Sequence, residues 1–408
     1  MLVESIIKKT LGVKSHRISR VDIEEGSLVA FIVSRKGSRP TCSVCGRKAP
    51  CYDTLSERSW RHVPCWGIPV FFRYSPRRCS CARCGVKVEA MPWSLGKSRL
   101  SLPFIVVLSS FARILSWEEV ARLFGVHWNT VRASVLHSVE YGLTHRDLSG
   151  VLLIGVDEIS RRKGHTYITN VYDLESKRLI WTGEGRDCAT LERFFDDYGE
   201  EPTARIKGIC CDMWAPYFDA IEKKAPEALV VFDKFHIVRH LIDAVDKVRK
   251  MEAIEKKKDN PELLDGTKYI WLKNPWNLTP KQRERLGQLE KLNLKINRAY
   301  LLKESFRHFW DYLYPESARK FLKKWFWWAT HSRLVPMRDF AWMLRNHEDD
   351  LMNFFKLRIT GGVIEGLNRK AKVVSQRAYG YRTFDTFKLA LYHVMGQLPM
   401  PELTHRFV

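Results

Sequence analysis

Three carboxylates stand where a metal-dependent phosphodiester enzyme would need them: Asp157, Asp212 and Glu365. Asp157 ends the apolar run Val151-Leu-Leu-Ile-Gly-Val156, and Asp212 ends Ile206-Lys-Gly-Ile-Cys-Cys211. Glu365 lies just inside the helix-like stretch Gly362-Val-Ile-Glu-Gly-Leu-Asn-Arg-Lys-Ala-Lys372. A carboxylate at the end of a buried strand is costly unless something cationic neutralises it. Two such strands side by side, joined by a glutamate from a distant helix, read as a site for a divalent metal.

The third position has rivals. Glu365, Asn368, Arg369 and Lys372 are spaced i, i+3, i+4 and i+7, so one helix face would offer a carboxylate to metal and the other three side chains to adjacent phosphates. The same spacing also describes a solvated Glu-Arg pair, worth only about 0.3 to 0.5 kcal/mol. Asp233, directly after the apolar run 228–232, and the cluster Glu348-Asp-Asp350 are other sources of a third acid. Glu158, by period-two alternation, faces away from Asp157 and is the weaker ligand.

These acids need elements to position them. The pattern predicts strands at 151–158, 165–172 and 178–182 joined by tight turns at 161–164 and 175–177. A helix at 188–198, a strand at 205–212, a helix at 214–224, a strand at 228–232 and a long helix from 234 past 250 follow. A meander followed by parallel crossover units gives a mixed five-stranded sheet of the ribonuclease H-like plan, which sets the first strand beside the fourth and so brings Asp157 to Asp212. Between Lys247 and Thr360 the chain turns to charged, aromatic-rich helices, read as an insertion. The aromatic stripe Trp325-Phe-Trp-Trp328 reads as core, or with Lys320, Lys323 and Lys324 as a track for DNA.

The 408 residues carry 68 Lys plus Arg against 46 Asp plus Glu, a formal charge of +22, and 45% are hydrophobic. That is a globular chain of two to three domains whose charge favours a polyanion, nucleic acid foremost. No stretch approaches the roughly 20 apolar residues of a membrane span, and no leader or lipidation signal is legible, so the expected place is the cytoplasm.

Ten cysteines without an export signal point to metal ligands or buried small residues rather than disulfides. Cys42-Ser-Val-Cys45-Gly46 and Cys81-Ala-Arg-Cys84-Gly85 form two C-x-x-C-G knuckles, which together would make a four-thiolate structural Zn2+ site. Cys79 competes with Cys81 as a ligand, Cys51, His62 and Cys65 lie in the intervening loop, and Cys188, Cys210 and Cys211 read as core. Downstream, Ser116-Trp-Glu-Glu119 is a capping box, Gly125 breaks the helix, and Trp128-Asn-Thr-Val-Arg132 opens a second helix. This is the helix-turn-helix plan or an ordinary helical hairpin. As the former it places His127, Trp128, Asn129 and Arg132 at DNA.

Several segments resemble one family. Gly155-Val-Asp-Glu158 with Arg162-Lys-Gly164, Cys211-Asp-Met-Trp-Ala-Pro-Tyr217, Phe232-Asp-Lys-Phe-His236, and Ile364-Glu-Gly-Leu-Asn368 with Arg377-Ala-Tyr-Gly-Tyr-Arg382 resemble the DDE transposases of bacterial insertion sequences, the ISL-three type. The resemblance implies that Asp157, Asp212 and Glu365 are the catalytic triad, and that the zinc module and helix-turn-helix bind the terminal inverted repeats. It implies five segments: a zinc-binding module at 1–95, a helix-turn-helix at 96–146, the first part of the core at 147–250, a helical insertion at 251–359, and the core's C-terminal helices at 360–408.

The implied chemistry uses two Mg2+ ions, or Mn2+, roughly 3.5 to 4 Å apart, to hydrolyse the element end and join its 3' hydroxyl to target DNA. No ATP is required, and no G-x-x-x-x-G-K-[ST] loop is present. A homodimer is expected, because two ends are processed together. Other classes consistent with the residues are a transposase-derived DNA-binding regulator without catalysis and a structure-selective nuclease.

Overall fold

The computed structural model describes residues 15–94, 96–162, 166–257, 262–359 and 361–401, with residues 5 and 260. The chain divides into two compact units, residues 1–147 with 373–408, and residues 148–372.

In the first unit, strands β1 (His16–Glu24), β2 (Ser27–Ser34), β3 (Cys51–Thr54), β4 (Arg58–Cys65), β5 (Ile68–Tyr74), β6 (Arg77–Cys81) and β7 (Gly85–Val88) make two small sheets. Their orders are β1-β2-β5-β4 and β3-β6-β7. The sequence reading had given this region a zinc module and no strands. The larger sheet packs Ile18, Ala30, Ile32, Trp60 and Phe72 around Trp93.

Helices α1 (Leu102–Ala112), α2 (Trp117–Phe124) and α3 (Trp128–His145) follow. The capping box at Ser116 is fully formed: its hydroxyl accepts from the Glu119 N–H and the Glu119 carboxylate accepts from the Ser116 N–H, worth about 1 kcal/mol. Gly125 ends α2 at φ +57°, the left-handed conformation that glycine adopts without a Cβ penalty. Arg61 of β4 donates to the carbonyls of Phe124 (2.6 Å) and Gly125 (2.7 Å), capping the same turn from the side.

The second unit is built on a five-stranded sheet of order β10-β9-β8-β11-β12. Strands β8 (Leu153–Arg162), β9 (Thr166–Asp173) and β10 (Arg178–Glu184) form the antiparallel meander. After helices α4 (Cys188–Tyr198) and α5 (Glu200–Ala204), strand β11 (Gly208–Cys211) pairs in parallel with β8 and, beyond helix α6 (Ala215–Lys224), with β12 (Leu229–Phe232). All four residues of β11 are buried, as a central parallel strand covered on both faces requires. Arg161 and Arg162, expected in a turn at 161–164, still belong to β8, and residues 163–165 lie outside the described residues.

One face of this sheet packs Ile154, Val156, Val171, Ile209 and Cys211 against Leu191 and Phe194 of α4 and Tyr217, Ala220 and Ile221 of α6. Helix α7 (Lys234–Lys256) then leads into α8 (Lys268–Leu272), α9 (Pro280–Glu290), α10 (Lys295–Arg307), α11 (Pro315–Thr330), α12 (Val335–Arg345) and α13 (Glu348–Leu357). In α11, Trp325 and Phe326 are core, with the Trp325 indole N–H donating to the Leu302 carbonyl (2.9 Å), whereas Trp327 and Trp328 are exposed. Asn353 of α13 donates to the Val230 carbonyl (3.0 Å), stitching the helical segment back to β12.

Helix α14 (Gly362–Arg377) returns the chain to the sheet, and α15 (Phe384–Met395) closes it. The C-terminal stretch departs from expectation: residues from Val373 onward, α15 included, group with the first unit rather than with the sheet. The cause is apolar burial there. Leu398 lies over Gly142 of α3, and His393 pairs with Ser109 of α1 at 3.0 Å.

Candidate active site

Adjacent strands carry the first two acids: Asp212 follows the last residue of β11, whereas Asp157, expected at a strand end, lies inside β8 opposite Asn170 of β9. The β8–β11 register aligns Ile154 with Ile209 and Gly155 with Cys210, so two residues further on Asp157 and Asp212 stand at the same level, where β11 ends and β8 runs on beside β9. Each carboxylate takes the N–H of the residue that follows it: Glu158 N–H to Asp157 Oδ1 at 2.7 Å, and Met213 N–H to Asp212 Oδ1 at 2.6 Å.

The opposite oxygens are held by other elements. Asn368 of α14 donates to Asp157 Oδ2 at 2.5 Å, while its own carbonyl accepts from the Tyr172 hydroxyl of β9 at 2.6 Å. His236 of α7 sits 3.0 Å from Asp212 Oδ2 through Nδ1 and 3.8 Å from Asp233 Oδ2 through Nε2. Asp233 itself caps α7, accepting the Phe235 N–H at 2.9 Å.

Glycines let α14 come this close. A Cβ at Gly155 would fall 2.6 Å from Ile364 Cδ1, and one at Gly361 only 1.9 Å from Asp233 Oδ1, so α14 begins against β8 and against the Asp233 carboxylate. Ile364, Leu367, Asn368, Ala371 and Val374 form its buried face, whereas Glu365, Arg369 and Lys372 are exposed. The expectation that Asn368 shares an outward face with those three is thus corrected: it is buried and occupied with Asp157 and Tyr172. Glu365 lies 3.6 Å from Arg369 in an exposed i,i+4 pair, yet its charge is felt at Asp233. Glu158 faces the α6 side, where the Tyr217 hydroxyl donates to it.

Electrostatics set these acids apart. Burial pushes the Asp157 carboxyl up to about 6, with the charges of Glu158 and Asp233 adding to the shift. Burial likewise raises Glu158 and Asp233. Asp212 is half-buried, but its hydrogen bond to His236 outweighs the desolvation and holds it below the ordinary carboxylate range. Burial disfavours the His236 cation, yet Asp212, Asp157 and Asp233 together raise its pKa. His236 is therefore the shared cationic partner of Asp157, Glu158, Asp212 and Asp233. Sequence reasoning quoted the segment Phe232-Asp-Lys-Phe-His236 without giving His236 a role. The Asp-x-x-His spacing at a strand-to-helix junction was the available signal.

Asp157, Asp212 and Glu365 share this neighbourhood without tight convergence. Among the described residues, the one group of three or more potential metal ligands whose atoms all lie within 4.8 Å of one another is Cys42, Cys45, Cys81 and Cys84. Four thiolates in that arrangement suit Zn2+. Gly46 (φ +69°) and Gly85 (φ +71°) are left-handed at the ends of the two knuckles, letting each chain fold back under its cysteines. Backbone N–H groups of Cys45 and Val44 bring the Cys42 thiol down to about 6, which favours the ligating thiolate. The cluster contains Cys81 and not Cys79, which is buried beside Cys42. His62 pairs with Ser101 and Cys51 is exposed, while Cys210 and Cys211 are core residues with thiols raised by burial.

At the start of α3, His127, Trp128 and Asn129 are exposed and Arg132 is half-buried. His127 Nδ1 accepts the Asn129 N–H (3.2 Å), so that histidine also caps the helix.

Two acids at one level of neighbouring strands, approached by an acid-bearing helix, make a candidate site, and comparison with known proteins places the chain in a class. A family described as transposase matches residues 154–391. The chain belongs to that family, whose matched type is the ISL3 DDE transposase. It is 26% identical over 397 residues to the transposase for insertion sequence element IS1001 of Bordetella parapertussis, covering 96% of this chain and 98% of that one. It is 29% identical over 430 residues to the transposase for insertion sequence element IS1557 of Mycobacterium tuberculosis, covering 97% and 96%. No helix among the described residues is long and apolar enough to cross a membrane.

Proposed function

We propose that this protein is a DNA transposase that binds the terminal inverted repeats of its own insertion sequence and performs Mg2+-dependent 3'-end cleavage and strand transfer with Asp157, Asp212 and Glu365. The observation that carries the reading is the alignment of Asp157 and Asp212 at one level of the adjacent parallel strands β8 and β11, with α14 bound to Asp157 through Asn368 one turn beyond Glu365. The strand order supports a ribonuclease H-like core. The α2–Gly125–α3 geometry supports a helix-turn-helix whose second helix offers Trp128, Asn129 and Arg132 to DNA. Arg369 and Lys372 are suited to flanking phosphates.

The donor set suits a hard cation: carboxylate oxygens carried on two adjacent strands and a helix, their charge only partly met by His236. Bound Mg2+ would supply activation of the attacking oxygen and stabilisation of the leaving one. The chain's own part is orientation. The Glu158 and Met213 N–H groups fix one oxygen of each aspartate, Asn368 holds the second oxygen of Asp157, and Tyr172 sets the direction of the Asn368 amide. His236 holds Asp212 ionised. Each step exchanges one phosphodiester linkage for another or hydrolyses it, so no nucleotide cofactor enters. A homodimer that pairs two ends suits the two-ended substrate.

The test is cleavage and joining of a labelled duplex bearing the inverted repeats that flank the gene, with Mg2+. Wild type should cut at the repeat tip and join the product. Asp212→Asn should bind the repeat with unchanged affinity and neither cut nor join. Cutting by that variant would overturn the assignment.

A further inference from the structure

The segment Arg377-Ala-Tyr-Gly-Tyr-Arg382 takes no part in the carboxylate site, and the fold treats its two tyrosines in opposite ways. Tyr381 is held: it stacks on Phe387 (5.3 Å, 19°), meets the edge of Trp117 at the start of α2 (6.0 Å), and burial pushes its phenol up to about 12. Tyr379 is 102% exposed, its whole ring in solvent.

The backbone at Tyr379 is equally unusual. Its φ is +52°, a left-handed conformation that disfavours an aromatic side chain. The conformation is imposed by the end of α14: the Tyr379 N–H donates to the Gln376 carbonyl (3.0 Å) and the Gly380 N–H to the Ser375 carbonyl (2.8 Å). That is the Schellman arrangement, in which glycine is the usual left-handed residue. Here tyrosine occupies that position and the glycine comes one residue later, at φ +94°. The turn is fastened to the unit that carries α2 and α3, because Arg377 donates to the Arg113 carbonyl at 2.8 Å.

An exposed ring and an unfavourable backbone both oppose the free fold, and a glycine would remove both. Such a combination marks a side chain aimed at something outside the chain. The chain is strongly basic, Arg382 three residues on is exposed as well, and an exposed aromatic ring on a basic protein is the kind of side chain that stacks on nucleic-acid bases.

We infer that Tyr379 is a DNA-contacting residue that stacks on a nucleobase of the element end bound by this unit. The inference rests on the reading of the protein as a transposase that binds its terminal repeats. The experiment measures fluorescence anisotropy of a labelled terminal-repeat duplex with full-length wild type, Tyr379→Gly and Tyr379→Phe, alongside melting temperature and sedimentation of each protein.

Tyr379→Gly should weaken binding about tenfold, the scale of one lost base–aromatic stack, while melting at the wild-type temperature or higher because the strain is gone. Tyr379→Phe should bind within about twofold of wild type, since the ring and not the hydroxyl makes the contact. Unchanged binding by Tyr379→Gly would overturn the inference and leave the transposase reading standing. So would a loss of stability that accounts for the binding defect, or a change confined to self-association, which would mark a protein contact. Failure of wild type to bind the repeat would remove both readings.

Discussion

Asp157→Asn should make the metal-free protein more stable while ending its chemistry. The carboxyl titrates at about 6 in the fold against an ordinary value of 3.8, a gap of about 2 units. At roughly 1.36 kcal/mol per unit this is about 3 kcal/mol of destabilisation at neutral pH. Partial contact with solvent trims it toward about 2 kcal/mol. Asparagine removes the charge but has one oxygen to meet two donors, the Glu158 N–H and the Asn368 amide, so about 1 kcal/mol is returned. The net gain is about 1 kcal/mol, or about 2 to 4 °C in melting temperature for a unit of this size.

The pH dependence has a definite sign. Between about 4 and about 6 the folded state keeps the Asp157 proton and the unfolded chain has lost it. This group's contribution therefore falls as pH rises through that window and is least favourable above it. Urea unfolding of both proteins in buffer without Mg2+ or Mn2+, near pH 5 and near pH 7, should show the variant's advantage at the higher pH shrinking at the lower. Added Mg2+ should stabilise wild type and leave the variant unmoved. A variant less stable than wild type near neutral pH without metal would refute the reasoning.

Two further outcomes follow from the same geometry. Asn368→Ala removes the amide that holds Asp157 Oδ2 and should cut Mg2+-dependent cleavage about 10- to 100-fold, the usual scale for a group that orients a ligand, with repeat binding unchanged in anisotropy assays. Cys81→Ser should release zinc in a metal-content measurement and lower the thermal stability of the first unit, while Cys79→Ser should retain zinc, because Cys81 and not Cys79 completes the four-thiolate cluster.

Much of the sheet was legible because β11 and β12 are short apolar runs followed by acids, and the turns between the first three strands leave only a meander. The helix at 188–198 was read with the bounds it has, Cys188–Tyr198. The strands of the first unit were not read. Their burial is patchy, with β3 and β7 largely exposed, so little period-two signal remains. Asn368 was misread for a geometric reason: at about 100° per residue it lies about 60° from Glu365 but only about 40° from Ile364. It sits on the seam of α14, and spacing alone does not tell which side claims it. The Asp-x-x-His spacing signalled His236 only in part, because its reach to Asp212 depends on α7 starting beside β11, a tertiary fact. Trp325 and Trp327, two residues apart, fell on opposite sides of the surface, as helical phase requires.

The bare positions in the sheet bear on how such a protein changes over generations. Gly208 of β11 receives Leu357 and Ile359, and Gly155 of β8 receives Ile364. These sockets fix where the returning chain lands, whatever it did after leaving β12. Because the entropy of closing a loop grows only logarithmically with its length, the exposed connections of the helical excursion can be lengthened or trimmed at small entropic cost while the incoming acid keeps its address. The excursion is thereby an adjustable cassette, and the sockets are its fixed port.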